Sequence, residues 1–293
     1  MSTIGLALLL LAADLTGEAQ ASVRPRECSS SRQTVWERAR EPHLRAYCDA
    51  LARGFGKLAT APEEAKGEAL RAAGLSTGRA APFVLLGRAE LALGSHEAAR
   101  LAFEKALTLD PRALDEPNAL HAHAIALVRS GREAEALASY RVLVPQVDLL
   151  PGADRRVRVL LEAAELAMAR PEHGEMALVW LRRARQEPLR EAQPRVLAML
   201  ALVLDRRGDG EQASVLLEEV RRLGGRKAVE AFGSQAVSTP EGLAVLALVE
   251  EGEHPAAAAE LWKRYLIADN APAHEEHARK RLARLASKPQ ASR

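Results

Sequence analysis

RAAPFVLLGRAELALGSHEAARLAFEKALTLDP, residues 79–111, is the stretch whose spacing decides the fold. It reads as two short helices joined by a turn at Gly94-Ser95. The small residues Gly87, Ala99 and Ala106 stand where two helices would have to touch. The large apolar residues Phe83, Leu86 and Phe103 stand one turn away, and Pro111 closes the unit. Gly94 suits the left-handed conformation that ends a helix, which glycine adopts at little steric cost.

The layout recurs along the chain. Taking Gly94 as the turn residue, an alanine follows five residues later (Ala99) and a large apolar residue nine later (Phe103). Gly131 is followed in the same way by Ala136 and Tyr140, Gly208 by Ala213 and Leu217, and Gly252 by Ala257 and Leu261. A further copy has Glu172 in the turn, then Ala177, Leu181 and Ala184. Successive turn residues lie 37, 41, 36 and 44 positions apart. The surplus length falls at Pro145 to Asp154 and at Leu223 to Glu241, where a short helix is expected around Lys227 to Phe232. Upstream, Pro62 with Glu63-Glu64 marks a helix start. Ala65, Ala69 and Ala72 there form a degenerate leading copy.

The spacing Phe83-x2-Leu86-Gly87-x2-Glu90, then Ala99-x3-Phe103, Ala106 and Pro111, resembles the tetratricopeptide repeat, with Glu90 in the slot that family gives to tyrosine. The resemblance implies an all-α fold, an α-solenoid of stacked antiparallel helix pairs in a right-handed superhelix, with the first helix of each pair lining a concave side. One pair cannot bury its own apolar face, so each copy needs neighbours. The expected organisation is a signal peptide over 1–21, a helical cap with the degenerate copy over 22–79, about five helix pairs over 80–270, and a capping helix with a short tail over 271–293.

Composition agrees with helices. Hydrophobic residues make up 48% of the 293 positions and aromatic residues only 3%, and isoleucine occurs only at positions 4, 125 and 267. Alanine, leucine, arginine and glutamate dominate, a mixture with little to make strands from. A formal charge of +2 is close to balance, which with the lack of basic-aromatic interleaving argues against nucleic acid.

Ile4 to Ala13 is an apolar run of ten residues and Ala19-Gln20-Ala21 a small-x-small cleavage site, the features of a secretory signal, although no Lys or Arg precedes the run. Ten residues are too few to span a bilayer. The alternative is a retained N-terminal helix. Cleavage would remove Asp14 and Glu18 and move the formal charge from +2 to +4. Cys28 and Cys48 in an exported chain point to one disulfide between them; the alternative is two unrelated thiols. Two cysteines with no nearby histidine do not make a metal site.

Placing inward-facing positions as the resemblance implies gives a groove containing Arg88, Asn118, His121, Ile125 and Arg129, and further along Arg170, Leu202, Asp205 and Arg206. Arg129, Arg170 and Arg206 all stand two residues before a turn. Guanidinium groups so repeated would suit an acidic peptide or a terminal carboxylate. The competing explanation is that arginine is favoured in a last helical turn by the dipole alone. His121 and His123, two apart, point to different sides of a helix. His274 and His277 share a face but lack the spacing of the zinc-binding H-E-x-x-H pattern, and are expected on the surface of a capping helix. No phosphate-cradling glycine loop, nucleophile elbow or Cys/His pairing is present.

The sequence therefore reads as a non-enzymatic, secreted or periplasmic scaffold for another protein or peptide, an acidic one included, with no cofactor and no metal, serving envelope or surface assembly. The rival readings are a cytoplasmic adaptor with an uncleaved N-terminus and, less favoured, a helical-repeat enzyme using carboxylates such as Glu162 and Asp205. The spacing makes one direct prediction. Ala99→Arg puts a charge where two helices meet and should lower the thermal unfolding midpoint by well over about 5 °C. A melting curve by circular dichroism that matches the parent would overturn the assigned spacing.

Overall fold

A computed structural model describes residues 28, 43–232, 239–268 and 273–287. The described residues hold fourteen α-helices and no strand, so the all-α expectation stands. The proposed signal over 1–21 lies outside them, as do parts of the expected N-terminal cap and of the expected last helix with its tail.

The chain divides into two units, 1–143 and 144–293. In the first, helices α1 (Leu44–Lys57) and α2 (Pro62–Leu75), α3 (Ala81–Ala92) and α4 (His96–Leu109), and α5 (Pro117–Arg129) and α6 (Glu133–Leu143) form three antiparallel pairs. Each first helix also packs on the next, α1 on α3 and α3 on α5. In the second unit, α7 (Ala153–Met168) pairs with α8 (Gly174–Arg185) and α9 (Gln193–Arg206) with α10 (Gly210–Arg222). A short α11 (Gly225–Ala231) precedes the pair α12 (Pro240–Glu250) and α13 (Pro255–Leu266), and α14 (Glu275–Ser287) packs on α13. The surplus near Pro145 is a 3-10 turn, Val144–Leu149.

Burial follows the spacing. Ala99, Phe103 and Ala106 are fully buried, and so are the counterparts Ala136, Tyr140 and Leu143, and Ala177, Leu181 and Ala184. Gly94, Gly131 and Gly208 end their first helices at φ of 77°, 72° and 87°, where a side chain would be strained. The last pair differs. Its buried positions are Ala258, Leu261, Trp262 and Tyr265, so Leu261 is covered as expected but the buried alanine comes one residue later than Ala257. The turn there runs through Glu251–Gly252–Glu253, with the Glu253 and His254 amides both donating to the Glu250 carbonyl. Gly252 is not left-handed, so it does not mark the end of the helix as Gly94 does.

First and second helices differ in how they are enclosed. In α9 every residue from Pro194 to Leu204 is buried, and in α12 every residue from Glu241 to Glu250. A helix apolar on all sides is one surrounded by others, and α9 touches α7, α8, α10, α11 and α12. The second helices α8 and α10 bury one stripe and present the other to water. Burying each large side chain in such a stripe contributes roughly 2 kcal/mol.

Glu90 departs from the usual aromatic at its position, and the structure shows what it does. Its carboxylate, almost wholly buried, receives the Lys66 ammonium at 2.9 Å, tying α3 to α2. Cys28 and Cys48 form a disulfide whose Cα atoms are 5.5 Å apart, fixing residue 28 to α1.

Close approach sets the limits of this packing. A Cβ built on Gly87 would meet three atoms of the Phe103 ring at 2.9 Å, and one built on Gly54 would meet Leu85 Cδ2 at 2.4 Å. Gly87→Ala gains about 1 kcal/mol of helix propensity but overpacks a full core at a cost of about 1–3 kcal/mol. The expected net loss is about 1 kcal/mol. A double-mutant cycle with Phe103→Leu should show coupling of about 1 kcal/mol or more by urea unfolding; additive costs would contradict the ring contact.

Candidate functional site

The expected groove residues do not share one environment. In the first unit, Arg88 is nine-tenths buried with its guanidinium over the Phe55 ring at 5.7 Å. Asn118 is as deeply buried and donates through Nδ2 to Glu116, whose carboxylate caps the start of α5 by accepting from the Asn118 and Ala119 amides. His121 is buried against the Tyr140 ring at 6.3 Å, so it belongs to the core of its own helix pair. His123 packs on Phe103 at 5.5 Å, and burial holds its pKa below the usual histidine value. Only Ile125, half-buried, and Arg129, exposed, stand at the surface as expected. Burial, and after it the charge of Arg129, keep the His96 pKa low.

In the second unit, Leu202 is fully buried and cannot line a groove. Arg170, half-buried and just past the end of α7, turns back to the Leu166 carbonyl of that helix. Arg206 is committed inside the protein. Its side chain is 5% exposed and Nη1 donates to Glu241 at 2.5 Å and to the Met168 carbonyl at 3.2 Å. Nη2 donates to the Tyr265 hydroxyl at 3.2 Å. The three arginines that share a place in the repeat thus have three different surroundings. The reason is that a neighbouring helix end supplies acceptors for Arg206, which no spacing within its own helix reveals.

Asp205 opens a second network, and α14 completes it. Arg281 of α14 donates through Nε to Asp205 Oδ2 at 2.9 Å and through Nη1 to Glu251 Oε2 at 3.0 Å. His277 Nε2 donates to Asp205 Oδ2 at 2.5 Å, and its ring meets the edge of Trp262 at 5.7 Å between centroids. The Trp262 indole in turn donates to Glu251 Oε1 at 2.8 Å. His274 Nε2 donates to the Met168 carbonyl at 3.0 Å. The expectation of an exposed cap fails for both histidines, because each faces the body of the second unit.

Three first helices end here: α7 at Met168, α9 at Arg206 and α12 at Glu250. Helix C-termini carry partial negative charge, and Asp205 and Glu251 add two carboxylates. Burial alone would raise the Asp205 pKa, but hydrogen bonds from His277 and Arg281 outweigh it and hold the group down at about 2. At Glu251 burial prevails over Arg281 and Trp262, and the pKa is raised. Burial likewise raises Tyr265 to about 12. The surface is therefore anionic and receives the cationic face of α14.

A third set lies deeper. Glu165 of α7 accepts from Arg195 of α9 at 3.3 Å and from the Thr239 hydroxyl, whose oxygen caps α12 by accepting from the Gly242 amide at 3.0 Å. Burial raises the Glu165 pKa against the pull of Arg195. This set locks three first helices together. On the second-helix side, a cleft of about 280 Å³ opens between α8 and α10 over Leu200 and Leu204, rimmed by Arg182, Arg185 and Glu211. Among the described residues no three His, Cys, Asp or Glu side chains converge to hold a metal, and no helix is long and apolar enough to cross a membrane.

Sequence reasoning missed Glu251, His277 and Arg281. The signals were there: Asp205 is a lone acid after the run LALVL, and His277 and Arg281 stand four apart on one helical face.

No protein-family model matches the chain, and no curated protein matches it. Among solved structures it is similar to MamA of Desulfovibrio magneticus RS-1, at 21% identity over 62% of this chain and 94% of that one, with a TM-score of 0.47. It is similar to PilF of Pseudomonas aeruginosa at 17% identity over 81% and 99%, with a TM-score of 0.48. It is also similar to TTC0263, a thermophilic TPR protein of Thermus thermophilus, at 23% identity over 71% and 98%, with a TM-score of 0.37.

The geometry around His274 yields a pH signature. Burial first, then Arg206 and His277, push its pKa down to about 4 from 6.5, against the Met168 carbonyl and Glu172. The unfolded chain therefore binds the proton more readily, so stability is full above pH 6.5 and falls as pH drops toward 4. The loss should not exceed about 3 kcal/mol. His274→Gln should flatten the dependence of the urea midpoint between those limits relative to the parent; identical pH profiles would refute the assignment.

Proposed function

We propose that this chain is an exported, non-enzymatic scaffold that binds a peptide or partner helix on the faces and ends of its first helices, serving envelope or surface assembly. One observation carries the reading. In the second unit, the ends of α7, α9 and α12 hold a helix, α14, through side-chain recognition of His274, His277 and Arg281. A stack of paired helices that takes up one helix in this way presents a surface chemically suited to taking up others.

Two further features support parts of the reading. The apolar run from Ile4 with Ala19-Gln20-Ala21 supports export, and the Cys28–Cys48 disulfide favours an oxidising compartment. Arg129 in the first unit and Arg170 in the second, each two residues before a turn, each favour an acidic partner; Arg206 is occupied internally and does not contribute.

Affinity capture from the envelope fraction tests the binding claim. Arg129→Glu with Arg170→Glu should reduce recovery of an acidic partner at least about ten-fold while leaving the helical circular dichroism unchanged. An identical set of captured proteins would overturn the acidic-partner reading. Mass spectrometry of the native protein should find Ser22 at its start; an intact Met1 would overturn export by cleavage.

A further inference from the structure

The carboxylates of Asp205 and Glu251 are held by different helix ends, yet both converge on one guanidinium. Arg281 bridges them, with Nε and Nη2 on Asp205 and Nη1 on Glu251. All three side chains are close to nine-tenths buried. Arginine meets carboxylates with paired, directional donors, and two carboxylates set about one planar group form a receptor that lysine cannot match. Beside it, Trp262 and Asp205 make a slot for the His277 ring.

Beyond this receptor the helix rests on α13 through a lightly covered face, with Leu282 and Leu285 only half-buried. Ala278 is its single buried residue, although α14 runs from Glu275 to Ser287. The charges on its outer face are spent within the helix, in the pairs Arg279–Glu275 and Lys280–Glu276. The fit is also imperfect, since His277 Nδ1 is buried with no hydrogen-bond partner. A helix docked by charge and hydrogen bonds over so small an apolar area opens more readily than the core beneath it.

We propose that the Asp205–Glu251 pair is a receptor for an arginine-bearing helix of a partner protein, and that α14 occupies it in cis as an exchangeable stand-in. The partner's recognition element is a helix presenting arginine with histidine four residues before it, the spacing of His277 and Arg281. Complementarity of charge selects it: two carboxylates and the negative ends of α7, α9 and α12 face the incoming cations. The proposal rests on the scaffold reading above and gives that scaffold a specificity. Tethering raises the effective concentration of α14 to the millimolar range, so a partner must bind better than α14 or meet a chain in which α14 has lifted.

The test uses the full chain and a labelled peptide of residues 273–287. By fluorescence anisotropy, Arg281→Ala in the protein should tighten peptide binding at least about ten-fold over the parent, because the cis competitor is weakened. A peptide whose own arginine at the 281 position is alanine should bind at least about ten-fold less well, and Asp205→Asn in the Arg281→Ala protein should abolish the gain. Peptide binding indifferent to that arginine, or to Asp205, overturns the proposal. If Arg281→Ala does not fold, hydrogen exchange on the parent decides: α14 amides should exchange at least about ten-fold faster than those of α13, and equal protection overturns exchangeability. A parent that forms dimers abolished by Arg281→Ala would make the occupant a second copy and overturn the claim of a foreign partner. Loss of peptide binding with Arg129-dependent capture intact would sink this inference alone, and the reverse would sink only the acidic-partner reading.

Discussion

Close contact between a small residue and a large one where helices cross is the constraint on which this molecule depends. Gly87 lies so near the Phe103 ring that no Cβ fits between them, and Gly54 stands in the same relation to Leu85. Interiors are packed to the density of crystals, so such contacts tolerate little change in volume. Alanine at the recurring positions 99, 136, 177, 213 and 258 does the same work with one methyl group. Everything else in the fold follows from how near this lets the helices come. The first helices α9 and α12 become enclosed on all sides, and the second helices α8 and α10 keep a wetted face.

Enclosure has a polar counterpart. First helices brought together also bring their termini together, and buried termini must find partners. The Met168 carbonyl accepts from both Arg206 and His274, Glu165 joins Arg195 to Thr239, and Asp205 and Glu251 share Arg281. Breaking one member of such a network leaves the others buried and unpaired, which costs more than the bond itself. The recognition surface of the second unit is in this sense a by-product of stacking: helix ends that lie together need cations, and α14 supplies them.

Much of the architecture could be read from residues alone, because glycine turns and alanine positions recur at fixed offsets. Gly94, Gly131 and Gly208 mark true helix ends, and Ala99 with Phe103 mark true contacts. In the last copy the buried alanine falls one residue late, at Ala258, since Gly252, though a glycine near a turn, is not the residue that reverses the chain. The site was much less legible. Position within a helix gave Leu202 and His121 an inward direction but could not say that a neighbouring helix already covers them. Arg129 and Arg206 occupy equivalent places, yet one is exposed and the other meets Glu241, 35 residues away. Pairings across such distances depend on the stack, and a single sequence records them only as isolated charges in apolar runs.

The apolar girth of α12 bears on how the chain is made. Its sequence PEGLAVLALVE leaves the ribosome ahead of α13 and α14, and every residue from Glu241 to Glu250 is destined to be covered. Until those later segments are synthesised, one side of this helix has only solvent or a chaperone to lie against. Synthesis between Glu250 and Glu275 is therefore a hazardous stage, and ribosomes stalled there would leave a sticky, protease-sensitive product.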